Sequence, residues 1–214
     1  MAEMWTKEYK LERYRKMNAT VKTGQVVCAG SSLMEMFPVE RFVEEDGNPI
    51  VVYNRGIGGF VSRELLENLD VCILDLKPSR LFLNIGTNDL SNASISPEQL
   101  METYGQILDR VREALPNVEI YLMAYYPINM DAAVPEMKEC LKIRTNEKIN
   151  AANELVKRLA RQKGARYIDI NAPLKDEKGR LRAEFTIEGM HIKEEGYRAI
   201  YADFMRYATE PAWK

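Results

Sequence analysis

A serine, a histidine and a glutamate in this sequence have the side-chain types that hydroxyl-based nucleophilic catalysis requires. Ser31 and Ser32 follow a short apolar run that breaks at Gly30, so they stand where a strand would lead into a helix. A serine at such a corner is either a helix N-cap or a nucleophile at the positive end of the helix. This window alone favours the cap, so the choice depends on partners elsewhere in the chain.

His191 is the only histidine among the 214 residues. Imidazole titrates near neutral pH without heavy tuning, so a catalytic serine would need His191 as its base. Glu188, three residues earlier, could accept a hydrogen bond from the other ring nitrogen and fix the tautomer. On these residues alone, a capping or surface role for His191 and a solvated role for Glu188 stay open.

Two further loops carry candidate donors for an oxyanion. Gly56, Gly58 and Gly59 form a turn that is either merely flexible or lets a backbone N–H approach a ligand closely. Asn88 is either a turn residue or a side-chain donor. The glycine spacing is not that of a nucleotide-binding loop. One histidine and three dispersed cysteines cannot form a standard zinc site, so we expect no metal and no other cofactor.

Short apolar runs alternate along the chain with longer amphipathic ones. Strands are predicted at residues 25–29, 50–53, 81–85, 118–124 and 167–170. Helices are predicted at 7–16, 34–43, 145–163 and 194–207, with another capped by Ser62 and one from Ser96 to Pro116, while 125–144 is predicted as a loop. The clearest helix start is Ser96-Pro97 with Gln99, a capping box with proline at the first helical position.

This alternation predicts one α/β domain over residues 1–214, with residues 1–20 as a helical addition. We expect a five-stranded parallel sheet covered by helices on both faces. Such a sheet binds its ligand beyond the carboxyl ends of its strands. The polar residues discussed above all fall in loops that belong at that edge.

Charge and composition limit the partners and the compartment. Thirty basic and thirty-two acidic residues give a net charge of -2, so we expect binding to neither nucleic acid nor an anionic membrane surface. Residues 1–18 are charged throughout and no later run is long and apolar, which predicts neither a signal peptide nor membrane insertion. Cys28, Cys72 and Cys140 are odd in number and widely spaced, which favours reduced thiols and a cytoplasmic location.

Four blocks of the sequence together resemble those of a known family. They are GSSL at 30–33, NRGIGG at 54–59, GTND at 86–89 and EGMH at 188–191. In this order they resemble the SGNH hydrolases, also called the GDSL esterase/lipase family, and in particular the compact members similar to platelet-activating-factor acetylhydrolase subunits and bacterial acylhydrolases. The resemblance covers nearly the whole chain. It implies a three-layer αβα sandwich with flavodoxin-like strand order.

The resemblance also implies roles for individual residues. Ser32 would be the nucleophile, His191 the base, and the oxyanion donors would be the N–H groups of Ser32 and Gly59 and the side chain of Asn88. The chain departs from the family at two positions, where it has Ser31 and Glu188 in place of aspartate. We expect Glu188 to replace the usual third member of the triad, with a Ser–His dyad as the alternative. Ser31 is expected to cap the helix.

The expected reaction is hydrolysis of a short-chain ester, acetyl above all, of a small molecule or carbohydrate through an acyl-enzyme. The alternatives are a lysophospholipase or thioesterase on the same site, or a non-catalytic binding protein. The aromatic segment with Trp5, Tyr9 and Tyr14 could form the interface of a homodimer, or it could equally cover helices of its own chain. A set of apolar loop residues could line the acyl site, but they could at least equally belong to the core or to its rim: Met34, Phe37, Phe60, Leu90, Tyr125, Tyr126, Met130 and Met190.

Overall fold

The computed structural model describes residues 6–213, and its centre is a five-stranded, all-parallel sheet. The strands are β1 (Val26–Gly30), β2 (Val52–Gly56), β3 (Arg80–Asn84), β4 (Glu119–Met123) and β5 (Arg166–Ile168). Their order, β2-β1-β3-β4-β5, is the flavodoxin-like order that the resemblance implies. The order reverses between β1 and β3, where such sheets open a crevice at the carboxyl ends of their strands.

Helices cover both faces of the sheet. In the described part of the chain they are α1 (Lys7–Asn18), α2 (Ser32–Glu35), α3 (Val39–Glu45), α4 (Ser62–Glu67), α5 (Leu69–Cys72), α6 (Thr87–Leu90), α7 (Pro97–Ala114), α8 (Pro135–Ile143), α9 (Asn146–Gln162) and α10 (Glu194–Thr209). Short 3₁₀ turns lie at Leu74–Leu76, Ala172–Leu174 and Ala183–Phe185. Across residues 6–213, none of the helices combines the length and the apolar character needed to cross a bilayer.

The sheet separates two apolar cores. Leu81 and Leu83 of β3 point into the core under α4, α5, α7 and α9, while Phe82 between them points into the core under α3 and α10. All three side chains are fully buried. Because both faces of each strand are covered, the strands read in the sequence as continuous apolar runs rather than as alternating ones.

Helix α7 starts as the sequence predicts. The Gln99 backbone N–H donates to Ser96 Oγ (3.2 Å), and the Ser96 N–H donates to Gln99 Oε1 (2.8 Å). Pro97 occupies the first helical position, where its missing N–H costs nothing. The capping box is therefore confirmed.

Two other helix predictions are wrong because of prolines. The predicted helix at 34–43 is two helices, α2 and α3, interrupted at Pro38, which has no N–H to continue the backbone ladder. The predicted loop at 125–144 contains α8, in which Pro135 opens the helix instead of breaking it. Leu141 is the only buried residue of α8.

Ser62 is the first residue of α4 and not its cap, which is Val61. The N–H of Val61 donates to Glu64 Oε2 (2.9 Å), so the helix start is stabilised without a hydroxyl cap. The Ser62 hydroxyl does not cap the helix because it donates to Asp89 Oδ1 (2.5 Å), which follows β3.

Helix α1 packs against the rest of the fold. Tyr14 donates its hydroxyl to the carbonyl of Gly56 (2.8 Å), and Asn18 Nδ2 donates to the carbonyl of Val71 (2.8 Å). Of the candidate dimer contacts, Tyr14 thus contacts its own chain, Tyr9 is 43% exposed, and Trp5 lies outside the described residues. The homodimer stays a prediction.

Candidate active site

Ser32 lies at the carboxyl edge of the sheet, immediately after β1, as the first residue of α2. Its Oγ lies 3.0 Å from Nε2 of His191. The backbone N–H of Ser32, at the start of the helix, donates no hydrogen bond within residues 6–213. The hydroxyl therefore faces a base while the neighbouring N–H is free to bind a ligand.

The ring of His191 is held between Ser32 and Glu188. Its Nδ1 lies 2.5 Å from Glu188 Oε1, which also accepts the His191 backbone N–H (3.2 Å). A carboxylate only accepts, so Nδ1 carries the proton and Nε2 is left to accept from Ser32 Oγ. This is the tautomer that general-base catalysis at a serine needs.

The loop of His191 is fixed by Thr186. The Thr186 hydroxyl accepts the N–H of Gly189 (2.8 Å) and donates to the carbonyl of His191 (3.1 Å). Glu188 contributes only one oxygen to the histidine, since its buried Oε2 has no partner. The partner of Nδ1 is thus a carboxylate. A Ser–His dyad would instead have a main-chain carbonyl at this position.

The glycine turn after β2 passes beside Ser32. A Cβ added to Gly58 would lie 3.8 Å from the Ser32 Cβ, and the Gly58 N–H donates to Glu35 Oε2 of α2 (2.8 Å). Gly59 follows with φ +77°, a conformation that side chains disfavour. Within residues 6–213 its N–H donates no hydrogen bond and remains available.

Asn88 lies in α6, directly after β3 and therefore across the crevice from the turn after β2. One of its amide N–H groups donates to the carbonyl of Phe60 (2.9 Å), and its Oδ1 accepts from Arg144 Nη2 (2.7 Å). The second N–H is left unused. Ser32, His191 and Glu188 are thus joined by direct contacts. Gly59 follows the glycine that lies beside Ser32, and Asn88 contacts the residue after Gly59.

A buried carboxylate joins the two loops that carry these donors. Asp89 accepts the N–H and the hydroxyl of Ser62, which begins the helix after the glycine turn. Burial raises the pKa of the Asp89 carboxyl, against the hydrogen bonds from Ser62, which lower it. The Asn88 and Gly59 loops are thereby connected beside the crevice.

The profile of the GDSL-like Lipase/Acylhydrolase family matches residues 35–199, well over half of the chain. The chain belongs to this family. It is accordingly an ester hydrolase, as the resemblance of the four blocks implies. The matched residues include the turn after β2, the loop after β3 and the loop of His191.

Solved structures share the fold of this chain. A protein of Streptococcus pneumonia, described as a candidate platelet activating factor, is 29% identical and superposes with a TM-score of 0.83, covering 94% of this chain and 92% of its own. A GDSL-like lipase from Bacteroides thetaiotaomicron is 20% identical, with a TM-score of 0.76 over 92% and 96% of the two chains. An acetylxylan esterase from Geobacillus stearothermophilus is 16% identical, with a TM-score of 0.67 over 89% and 97%.

One curated protein also matches the acylhydrolase chain. An N-acylneuraminate cytidylyltransferase of Escherichia coli is 24% identical over 188 residues, which is 86% of this chain. The chain spans only 40% of the length of that relative. The similarity is therefore to one part of a longer protein.

One expectation about the site of the acylhydrolase is wrong, and one open alternative is decided. Ser31 occupies the N-cap position, but its buried hydroxyl makes no hydrogen bond, and the Met34 N–H, which a capping side chain could accept, donates to the Ser31 carbonyl instead. Almost all of the residues considered for an apolar lining are instead buried in the two cores, the alternative that the sequence left open, and Met130 is half-buried. The buried residues are Met34, Phe37, Phe60, Leu90, Tyr125, Tyr126 and Met190.

Several residues of the site escaped the sequence analysis. Glu35 binds the glycine turn through Gly58, and its Oε1 lies 2.6 Å from Lys10 Nζ in α1. Arg144 contacts Asn88 from the junction of α8 and α9, a segment whose helix was also unexpected. The position of Glu35 one turn after Ser32 offered a signal, whereas nothing in the sequence near Arg144 pointed to the site. Within residues 6–213, no three His, Cys, Asp or Glu side chains are grouped so that they could hold a metal ion.

Proposed function

We propose that the protein hydrolyses short-chain carboxylic esters, acetyl esters above all, through an acyl-enzyme on Ser32. The observation that carries the proposal is the chain of contacts from Ser32 Oγ to His191 Nε2 (3.0 Å) and from His191 Nδ1 to Glu188 (2.5 Å). A nucleophile bonded to a base, which is itself oriented by a third group, is the arrangement that serine acyl transfer uses.

Acylation begins when Ser32 Oγ attacks the ester carbonyl carbon and its proton passes to His191 Nε2. Glu188 stabilises the imidazolium that forms. The carbonyl oxygen becomes an oxyanion, which the N–H groups of Ser32 and Gly59 and the free amide N–H of Asn88 stabilise. All three donors are without an acceptor in the described chain, which supports this role.

The intermediate then collapses in the forward direction. The bond from carbon to the alcohol oxygen breaks, and His191 returns its proton to the departing alcohol. Water next attacks the acyl-enzyme while His191 takes one of its protons, and the carboxylic acid leaves as Ser32 regains its own proton. Neither step requires a metal ion.

Small acyl groups are favoured by the burial of the surrounding apolar side chains. Phe60 and Leu90, the apolar neighbours of the two donor loops, are each only 1% exposed. Side chains that pack inside the cores leave little apolar surface for a long fatty chain. We therefore propose acetyl rather than a long acyl chain.

For the alcohol part we propose a carbohydrate. The fold is shared with an acetylxylan esterase, and the curated relative is named for an N-acylneuraminate, a sugar acid. A lysophospholipid is the second candidate, because the 29% identical structure is described as a platelet activating factor. Three free cysteines support our further proposal that the protein works in the cytoplasm.

The experiment compares hydrolysis of p-nitrophenyl acetate with that of butyrate and octanoate esters by wild type, Ser32→Ala and His191→Ala. We expect kcat/KM to fall with chain length and both variants to lose at least about 1,000-fold in kcat. Hydrolysis that survives in Ser32→Ala would exclude the mechanism. A wild type inactive on a broad ester and thioester panel would favour a binding protein.

A second experiment compares natural substrate classes on the wild-type protein. Acetylated xylooligosaccharides, an O-acetylated N-acylneuraminate and a lysophospholipid are incubated with wild type, and acid release is measured. We expect release from an acetylated sugar. Release from the lysophospholipid alone would replace the carbohydrate proposal with the second candidate.

A further inference from the structure

We propose that Arg144, which lies outside the four sequence blocks, is a positioning residue that orients and polarises the Asn88 amide in the oxyanion hole. The inference rests on the proposed function, because it assigns Asn88 to the oxyanion. It adds to the oxyanion hole a residue that is distant from Asn88 in the sequence.

Arg144 lies between α8 and α9 and is 3% exposed. Its guanidinium contacts three side chains with three different nitrogens. Nη2 donates to Asn88 Oδ1 (2.7 Å), Nε donates to Ser91 Oγ (2.7 Å), and Nη1 lies 2.7 Å from Met190 Sδ. It therefore connects the loop of the oxyanion donor to the residue next to His191.

These contacts allow only one orientation of the Asn88 amide. A guanidinium has donors and no acceptor, so it can face only Oδ1. The carbonyl of Phe60 can only accept, so it must face Nδ2. A half-turn of the amide would set N–H against the guanidinium of Arg144 and oxygen against the carbonyl. The remaining N–H is therefore held in one direction.

The positive charge of Arg144 has no close counter-ion. In the described part of the chain no carboxylate oxygen lies within 4.0 Å of its guanidinium. Burial of an unpaired charge is costly, and burial lowers the pKa of Arg144, although electrostatic interactions with Cys140 and Asp89 act to raise it. We infer that another interaction compensates for the free-energy cost of burying the Arg144 charge.

The oxyanion of the intermediate supplies such an interaction. The ester substrate is neutral, whereas the tetrahedral intermediate places negative charge on the far side of the Asn88 amide from Arg144. A cation bonded to Oδ1 draws electron density from the amide and strengthens its N–H as a donor. Because this gain arises only as charge develops, it acts on kcat and leaves KM nearly unchanged.

The first test measures kcat and KM for p-nitrophenyl acetate in Arg144→Met, Arg144→Lys and the control Lys148→Met. Lys148 is a neighbouring cation that donates to the carbonyl of Leu90 (2.6 Å) and does not contact Asn88. We expect Arg144→Met to lose roughly 10- to 100-fold in kcat with KM within about threefold, since one oxyanion donor is worth about 100-fold or more. Arg144→Lys should lose less, and Lys148→Met should match wild type.

The second test is a double-mutant cycle with Asn88→Ala. If Arg144 acts through Asn88, adding Arg144→Met to Asn88→Ala lowers kcat by no more than about twofold. Independent losses that multiply would overturn the inference. So would an Arg144→Met enzyme with wild-type kcat, even if Ser32→Ala is inactive and the proposed function stands.

A third measurement does not depend on turnover. The side-chain amide signals of Asn88 are assigned in ¹⁵N–¹H spectra as the pair missing from Asn88→Ala. We expect these signals to shift in Arg144→Lys and Arg144→Met but not in Lys148→Met, with melting temperatures recorded to verify folding. Unchanged signals in a folded Arg144 variant would overturn the positioning role. If wild type hydrolysed no ester, the proposed function would fail while these spectra still decided whether Arg144 orients Asn88.

Discussion

At the scale of single residues, the contacts of His191 with Ser32 and Glu188 could be predicted because few side chains were available for them. A chain with one histidine leaves a nucleophilic serine one candidate base, and Glu188 was the acid three residues away. The sequence could not predict which carboxylate oxygen of Glu188 binds the histidine ring. Glu188 binds the ring with Oε1 alone, and Oε2 is buried without a partner. Such contacts depend on the backbone path of the loop, which residue types do not specify.

The role of Glu188 predicts an ordered series of variants. Glu188→Ala removes the acceptor that fixes the His191 tautomer, so we expect kcat for p-nitrophenyl acetate to fall by about 1,000-fold or more. Glu188→Asp keeps the charge on a shorter side chain and should lose much less. Steady-state kinetics measure both, with melting temperatures as the control for folding. Equal losses in the two variants would show that Glu188 does not orient His191.

At the scale of elements, local signals succeeded where one turn of chain contained the whole interaction. The capping box of α7 is such a case, because Ser96 and Gln99 satisfy each other. They failed where a distant partner competed, as when Asp89 takes the hydroxyl of Ser62. Proline was ambiguous for a related reason, since it interrupts a helix at Pro38 yet opens α8 at Pro135.

The contact between β2 and α2 explains one glycine of the turn beside Ser32. A Cβ at Gly56 would lie 2.3 Å from the backbone nitrogen of Glu35 and 2.8 Å from its Cα. Neither backbone atom can move without displacing α2, whose first residue is Ser32. Gly56 is thus required for close packing, whereas its sequence context indicates only a flexible turn or a close approach to a ligand.

We predict that Gly56→Ala lowers the free energy of unfolding by about 3 kcal/mol or more, at the upper end of overpacking costs. Gly105→Ala in α7 is the matched control, because its Cβ would meet nothing closer than 3.6 Å and alanine favours a helix. Urea unfolding followed by circular dichroism compares the two. A Gly56→Ala protein as stable as wild type would show that β2 and α2 do not pack so closely.

At the scale of the whole molecule, the fold class followed from the alternation of apolar and amphipathic runs. The burial of both faces of the sheet gives that pattern, so it can be recognised without the structure. The strand order came from the family resemblance and agrees with the structure. The approach of Arg144 to Asn88 could not be predicted, because it depends on how the segment between β4 and β5 packs across the crevice.

The two cores also predict the reactivity of the thiols. Burial raises the pKa of the Cys72 thiol to about 12, and it raises that of the fully buried Cys28 thiol further. At pH 8 almost none of either thiol is ionised, so both should react with Ellman's reagent only when the protein opens. Cys140 is half-buried and should react first.

Ellman titration of the folded protein should therefore give one fast thiol, absent in Cys140→Ser, and two slow ones. Adding urea should bring the slow pair to the fast rate. Three thiols of equal rate in the folded protein would contradict the burial of Cys28 and Cys72.

The central claim is that His191 activates Ser32 as the nucleophile. Labelling with a fluorophosphonate tests it most directly, because phosphonylation requires an activated hydroxyl and expels fluoride as the new oxygen–phosphorus bond forms. We predict one label per chain on Ser32, loss of esterase activity in parallel, much slower labelling of His191→Ala and none of Ser32→Ala, as read by peptide mass spectrometry. A label on another residue of the active protein, or esterase activity that persists in the fully labelled protein, would contradict the account.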